Sequence, residues 1–424
     1  MIDERAFEEI VRSESGRVVG ALVARCGDLD LAQDAFSDAV LAAWETWPRD
    51  GVPERPGAWL TTVARNRLID RVRREAQRPA RELASVREST SDPARDPEFV
   101  GDDLDRELAE LVRDPLDDDE LRLVFLCCHP ALSQDAQVAL TLRSVGGLTT
   151  PEIARSFLVP EATMAQRLVR ARRKIAVAGI PFRVPDEAEL PSRVAAALHV
   201  VYLVFTEGWN ATGTDDVVRA DLCAEALRLA RLLHRLLPTD SEVSGLLALL
   251  LLHDARRDGR VDADGGLLLL AEQPRARWNG AQVAEGVALI EAALPVGPVG
   301  PYQVQAAIAA LHAEAPTPDD TDWPQVLALY DVLVRLDPSP LVRLNRAVAV
   351  AEVEGAGPAL SLVDALAAEP ALRDNHRVRA TRAHLLVRLD RPREAAEEFA
   401  GAADLCASPA EQRYLRARAA DLTA

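Results

Sequence analysis

Lysine, cysteine and aromatic side chains are scarce in this chain of 424 residues. Aromatic residues make up 4% of the sequence, and Lys174 is its single lysine, so arginine carries nearly all the positive charge. The five cysteines form no CxxC pair, which argues against a disulfide framework or a zinc site. Cys127, Cys128 and His129 follow an apolar stretch, so we predict that packing buries them and that they hold no metal.

Long apolar runs are also absent, so we predict no membrane-spanning helix. The first ten residues, MIDERAFEEI, have neither the positive start nor the apolar core of a secretory signal peptide. We therefore expect a cytoplasmic protein without a membrane partner.

The net charge of −18 argues against unspecific binding to nucleic acid. The charge is uneven, however: eight arginines and three acids lie between Trp59 and Arg87, whereas twelve acids and two arginines lie between Asp96 and Glu120. Local basic patches on an acidic chain indicate contact with DNA at a defined site.

The stretch from Leu148 to Ile175 predicts a helix-turn-helix. Thr149 and Glu152 have the spacing of a capping box, which satisfies the first free N–H groups of a helix. In the second helix, apolar residues recur at three- and four-residue steps and share one face: Met164, Leu168, Ala171 and Ile175.

Polar and cationic side chains occupy the rest of that second helix. Thr163, Gln166, Arg170 and Arg173 lie opposite the apolar face, with Arg167 and Lys174 on the flanks. We call this surface the front of the helix. A cationic front of this kind can enter the major groove of DNA. The alternative is a solvated basic face on a bundle helix.

Residues 1–78 predict a compact helical domain. We expect helices over Ile2–Arg25, Leu29–Trp47 and Ala58–Glu75, with a loop over Pro48–Gly57. The third helix carries an apolar stripe of Leu60, Ala64, Leu68 and Val72. A second face carries Trp59, Thr62, Asn66, Asp70 and Arg73. A ring, an amide and guanidinium groups suit unstacked bases and phosphates; the alternative is a solvated helix with a core tryptophan.

These motifs, in this order, resemble sigma factors of bacterial RNA polymerase. The matching stretches are LDLAQDAFSDAVLAAW, then the WL…VARN…D…RR pattern from Trp59, then LTTPEIA and the RARRK that ends the helix-turn-helix. The sequence has a single linker and no further DNA-binding domain, and in this it resembles the extracytoplasmic-function group.

The resemblance implies roles for particular residues. Asp34, Ser37 and Asp38 would bind core polymerase. Trp59, Thr62, Asn66, Asp70 and Arg73 would contact the minus-10 element. Thr163, Gln166, Arg167, Arg170, Arg173 and Lys174 would contact the minus-35 element.

Three positions depart from the family pattern. Ser37 replaces a usual glutamine. Leu158 replaces a turn glycine, so a left-handed backbone there would be strained. Ala165 replaces a common lysine, which would remove one DNA contact.

Residues 79–117 combine prolines with many acids, a composition that favours an extended tether. The tether either occupies a basic nucleic-acid channel of the polymerase or is a plain linker. We assign residues 118–180 to the helix-turn-helix domain.

Residues 186–424 are helical in pattern. Ala359, Val363 and Leu366 recur as Ala395, Phe399 and Ala402, close to the tetratricopeptide period. Ordinary helical hairpins are the alternative. Stretches such as HVVYLVFTEGWNAT resemble the tetratricopeptide-like extension of one extracytoplasmic-function subgroup.

This tail shows no pattern of an enzyme or of a cofactor site. The aspartates from Asp254 to Asp264 lack the final glutamate of an EF-hand, so we expect no metal. His199, Glu207, Tyr302 and Trp323 are candidates for lining a pocket, but they form no nucleophile–base pattern.

The sequence therefore predicts an all-α sigma factor without catalytic activity. It would bind core polymerase and promoter DNA, with the tail contacting the sigma domains to regulate them. The short break over Gly179–Pro185 favours a tail required for activity over an autoinhibitory one. A helix-turn-helix regulator with a helical-repeat sensor, binding DNA without polymerase, is the alternative. An enzyme with a DNA-binding domain would need a catalytic constellation that the sequence lacks.

Overall fold

The computed structural model of the protein describes residues 4–85, 116–157, 159–210, 217–262 and 265–423. Over these residues the chain is α-helical, with short 3-10 turns and one isolated antiparallel bridge between Val261 and Leu267. The predicted all-α class is confirmed. The chain forms two compact units, residues 1–200 and 201–424.

Seven helices and the start of an eighth belong to the described part of the first unit. They are α1 (Glu4–Cys26), α2 (Leu29–Asp50), α3 (Pro56–Ser85), α4 (Leu116–Cys127), α5 (Gln134–Ser144), α6 (Thr150–Ser156), α7 (Glu161–Ala178) and α8 (Leu190–Trp209), the last of them as far as Val200.

The helix-turn-helix is α6 and α7, and its first helix begins as expected. Thr149 Oγ1 accepts a hydrogen bond from the Glu152 N–H at 3.4 Å, and the Glu152 carboxylate accepts one from the Thr149 N–H at 2.7 Å. The predicted capping box is confirmed. The predicted apolar face of α7 is also buried. Leu158, in the turn, lies outside the described residues.

Two of the three helices of the first domain are longer than predicted. Helix α2 continues through Pro48 to Asp50, and α3 starts at Pro56 and runs to Ser85. The loop between them is therefore only five residues, 51–55. Most of the predicted tether, residues 86–115, lies outside the described part of the chain.

The apolar stripe of α3 ends one turn earlier than expected. Leu60, Ala64 and Leu68 are buried, but Val72 is 45% exposed. At this level α3 turns Arg71 toward α2, where it pairs with Asp34 and Asp38. The inclusion of Val72 in the buried stripe was wrong because the local helix contact is polar.

The first three helices pack directly against the helix-turn-helix domain. Gly20 of α1 lies so close to α4 that an added Cβ would be 2.7 Å from the Asp119 carbonyl oxygen. Arg12 of α1 forms an ion pair with Glu152 of α6 at 2.6 Å. Residues 1–200 are thus one compact body, although the sequence suggested two domains on a tether.

Arg172 of α7 provides a second link between the two parts. Its guanidinium forms an ion pair with Asp30 of α2 and donates a hydrogen bond to Gln33 Oε1 at 3.1 Å. Its side chain is only 17% exposed. Arg143 adds a weaker hydrogen bond to Ser37 Oγ at 3.5 Å.

The second unit is a run of helices in which each packs on the next. Its helices are α9 (Ala220–Leu236), α10 (Ser241–Asp254), α11 (Gly280–Ala293), α12 (Pro301–Glu314), α13 (Trp323–Leu336), α14 (Pro340–Val353), α15 (Ala356–Ala367), α16 (His376–Arg388), α17 (Pro392–Leu405) and α18 (Pro409–Asp421). The two sets of repeating residues are all buried, on α15 and on α17. They occupy corresponding positions in successive helical hairpins, as stacked repeats do.

Replacing Arg172 with alanine should destabilise the first unit. The change removes a partly exposed ion pair and a charge-assisted hydrogen bond, so we expect a loss of about 1 kcal/mol. Denaturant unfolding monitored by circular dichroism measures the loss. Arg173→Ala, at an exposed neighbouring position, is the matched control and should change stability little. Equal stability of the two variants would contradict the linking role of Arg172.

Candidate protein and nucleic-acid interfaces

An acidic groove lies between α2 and α3. Asp34 and Asp38 stand one turn apart on α2, and Arg71 of α3 bridges them, with guanidinium nitrogens 2.8 Å from each carboxylate. The hydrogen bond to Asp38 raises the pKa of Arg71. The groove has a volume of about 660 Å³ and also includes Glu45 and Leu41, the latter 62% exposed. An open groove with acidic rims and an apolar patch suits a basic protein surface.

Of the three residues predicted to bind polymerase, two line this groove. Ser37 does not: its hydroxyl donates to the Gln33 carbonyl oxygen at 2.9 Å. Sequence reasoning missed Arg71 and Leu41. The pairing of Arg71 with acids more than thirty residues earlier has no local signal in the sequence.

The second predicted face of α3 is only partly open. Thr62, Asn66 and Asp70 are exposed. The Trp59 ring is half-buried and meets the Trp47 ring edge-on, with centroids 5.5 Å apart. Much of this indole therefore packs in an aromatic cluster and only its remaining surface is open to a base. The side chain of Arg73 lies outside the described residues.

The front of α7 is exposed as predicted. Thr163, Gln166, Arg170, Arg173 and Lys174 all reach the surface. Arg167 differs, because it forms an ion pair with Asp135 at 3.2 Å and lies 5.8 Å from the centre of the Phe157 ring. A phosphate would have to compete with Asp135 for that guanidinium.

The adjacent cysteines are buried, as predicted. Cys127 and Cys128 are fully enclosed, and Cys128 Sγ lies 3.5 Å from Thr141 Oγ1. Burial raises the pKa of both thiols, that of Cys128 to about 11. They are therefore protonated packing groups at neutral pH.

One cluster of potential metal ligands occurs in the described part of the second unit. His376, Cys406 and Glu411 bring their donor atoms within 4.8 Å of one another. His376 Nε2 lies 3.2 Å from a Glu411 oxygen. Hydrogen bonds with Cys406 and Glu411 raise the pKa of His376 to about 9. An imidazolium–carboxylate pair accounts for this cluster without a metal.

The four candidates for lining a pocket do not line the cavity of the second unit. His199 contacts Gln134 at 3.0 Å, Tyr302 packs against Tyr202, and Trp323 contacts His312. A cavity does occur in the second unit, but neither these three nor Glu207 lines it. Helical periodicity alone does not reveal which distant helix faces meet to form such a cavity.

Comparison with known families identifies the first unit. Sigma-70 region 2 matches residues 10–78, which lie on α1 to α3, and Sigma-70 region 4 matches residues 122–175, which lie on α4 to α7. A family of unknown function, DUF6596, matches residues 193–294.

Sequence relatives agree with this division. The chain is 27% identical over 177 residues to the ECF RNA polymerase sigma factor SigK of Mycobacterium tuberculosis (strain H37Rv), a match that covers 41% of this chain and 85% of SigK. It is 27% identical over 174 residues to the RNA polymerase sigma-H factor of Pseudomonas aeruginosa, covering 41% of this chain and 86% of that protein. This chain belongs to the extracytoplasmic-function group of the sigma-70 family.

This sigma factor has a relative that is similar along the whole chain. The uncharacterized protein R00370 of Rhizobium meliloti (strain 1021) is 44% identical over 421 residues, or 98% of this chain and 96% of the relative. The similarity therefore includes the second unit, which the matches to SigK and sigma-H do not reach. None of the described helices has the length and apolar character needed to cross a membrane.

Proposed function

We propose that this sigma factor binds core RNA polymerase, directs it to a promoter and helps to open the DNA. The observation that carries the proposal is the arrangement of three surfaces in family order: the acidic groove of α2 and α3, the Asn66 face of α3 and the basic front of α7. The first suits a basic protein surface, the second single-stranded bases and the third the major groove.

Binding to polymerase would require an exchange of partners in the groove. Arg71 neutralises Asp34 and Asp38 in the free protein. A basic surface of the polymerase would compete with Arg71 for the two carboxylates. The exposed Leu41 would contribute apolar burial at the same time.

Promoter binding would also require the first unit to open. The minus-10 and minus-35 elements lie about 25 base pairs apart, or roughly 85 Å at 3.4 Å per base pair. A compact body of 200 residues has a radius of gyration of only about 17 Å. The α3 and α7 surfaces therefore cannot reach both elements while Arg12 and Arg172 hold the unit closed.

The second unit would regulate these steps through contact with the sigma domains or the polymerase. We propose that it is required for activity. The support is its continuous packing from α9 to α18 and the short connection, residues 179–189, between α7 and α8. The residues of α8 up to Val200 pack with the first unit, where Arg193 donates to the Phe125 carbonyl oxygen at 3.0 Å.

Charge reversal at Asp38 should weaken binding to core polymerase. Like charges at an interface cost several kcal/mol, so we expect Asp38→Arg to lose affinity on the order of a hundredfold. Arg71→Ala should keep at least the wild-type affinity because it frees the carboxylates. A fluorescence titration with core enzyme measures both, with Glu9→Arg on α1 as the charge-matched control. Equal losses in the Asp38 and Arg71 variants would show that the ion pair only holds α2 to α3.

Mutations should separate the functions of the two proposed DNA-binding surfaces, on α3 and on α7. We expect Arg170→Ala to weaken duplex binding at the minus-35 element and to reduce the salt dependence by about one phosphate contact. Asn66→Ala should leave that binding intact and impair melting, which permanganate footprinting detects. Arg335→Ala, in the second unit, is the control. Normal melting with Asn66→Ala would contradict the role of the α3 face. If the protein bound the promoter without polymerase, the helix-turn-helix regulator would be the better assignment.

Removal of the second unit should abolish transcription. A chain that ends at Val200 keeps the first compact unit, and we expect it to stay folded but to give no run-off transcript with core enzyme. Circular dichroism and a core-binding titration check its fold. Transcription above the level of the full chain would contradict a required tail and support autoinhibition.

A further inference from the structure

A cavity of about 280 Å³ lies within the second unit. Helices α10, α12, α13 and α14 wall it, and the loop before α11 contributes Trp278. Its lining combines apolar and aromatic side chains, including Leu252, Ile308, Val342, Tyr202 and Tyr330, with polar ones such as Gln305 and Asn345. The volume lies just below the usual range for drug-sized ligands, so it suits a small metabolite.

The Arg256 guanidinium forms part of the cavity wall. Its one hydrogen bond to a described side chain runs to His253 Nδ1 at 3.0 Å. It also contacts the Trp209 ring, whose centre lies 5.0 Å away. Among the described residues, no carboxylate lies within ion-pair distance of this guanidinium, so most of its five N–H donors have no partner among those residues.

The neighbouring charges do not compensate for Arg256. Arg260 lies over the same Trp209 ring at 4.1 Å. Asp254, two residues before Arg256, is turned toward Arg257 at 3.5 Å and Gln282 at 2.9 Å. Burial and the nearby Arg260 lower the pKa of Arg256 to about 9, which still leaves it charged at neutral pH.

The two histidines in the wall are neutral. Burial and the nearby arginines lower the pKa of His312 to about 4 and that of His253 well below its usual value. Arg275, which donates to the His312 carbonyl oxygen, adds a further cation close to the cavity. The wall therefore carries net positive charge and has no carboxylate among its lining residues, which favours an anionic ligand.

A second donor in the wall also lacks a partner. The indole N–H of Trp278 is buried and makes no hydrogen bond to the described residues. Burial raises the pKa of Tyr330 to about 12, so its hydroxyl remains an O–H group at neutral pH. Because the indole nitrogen is buried against Gly259, the donors that the wall offers to an acceptor-rich group are those of Arg256 and Tyr330.

We propose that this cavity binds a small organic carboxylate. The carboxylate would pair with Arg256, whose planar fork matches its two oxygens, and the apolar body of the ligand would fill the space beside Leu252 and Ile308. An inorganic anion would satisfy the guanidinium but leave the apolar wall without contacts. The proposal does not depend on the assigned role in transcription.

Calorimetric titration of the full chain with benzoate, phenylacetate and hexanoate tests the proposal. At least one of them should bind saturably at millimolar or lower concentration, and its neutral amide should bind about tenfold more weakly or worse. Arg256→Gln should weaken carboxylate binding by about tenfold to a hundredfold. Trp278→Phe, which keeps a ring but removes the N–H, should weaken it less.

Arg235→Gln, on the exposed side of α9, is the matched control and should bind like the wild type. Thermal melting of each variant without ligand confirms that it is folded. Saturable binding of an acid and its amide with equal affinity would overturn the proposal. So would unchanged affinity in a folded Arg256→Gln variant, or no saturable binding of any of the three acids to the wild type.

Discussion

The contact of Arg172 with Asp30 and Gln33 is the constraint on which the form of the sigma domains depends. It joins α7, the helix that we propose reads DNA, to α2, the helix with the acidic groove. Partly exposed ion pairs contribute little individually, so such a contact can hold a compact unit and still be broken by a larger partner surface. Under the proposed function, such a closed unit would have to open before it could contact two distant promoter elements.

Intramolecular pairing recurs at the proposed binding residues. Asp38 is paired with Arg71, and Arg167 with Asp135. Each external contact at these positions would replace an existing one, so its net contribution is a difference between two pairings. Exchanging one ion pair for another therefore adds more to specificity for a partner with complementary charges than to the affinity of the complex. Arg256 in the second unit differs from these residues. Its guanidinium lines a cavity and forms no ion pair with a described carboxylate, so a ligand would not have to displace one.

Much of the local structure was predictable from the sequence. The capping box of Thr149 and Glu152 and the buried face of α7 follow from spacings of three and four residues, which depend only on helix geometry. The same reasoning failed at Val72, because burial there depends on what α2 presents to that turn of α3. At Trp59 the sequence left a base-stacking ring and a core ring as alternatives, and contact with Trp47 leaves the indole half-buried.

The sequence by itself determined the helical class, the order of the two sigma regions and the exposed front of α7. Each of these follows from local hydrophobic periodicity or from a sequence motif. Tertiary structure alone decided that the two regions pack together through Arg12 and Arg172. It alone placed Arg256 and Trp278 in the wall of one cavity. These are pairings between residues far apart in the chain, and the free energy of such pairings depends on which helix faces meet, which no local pattern specifies.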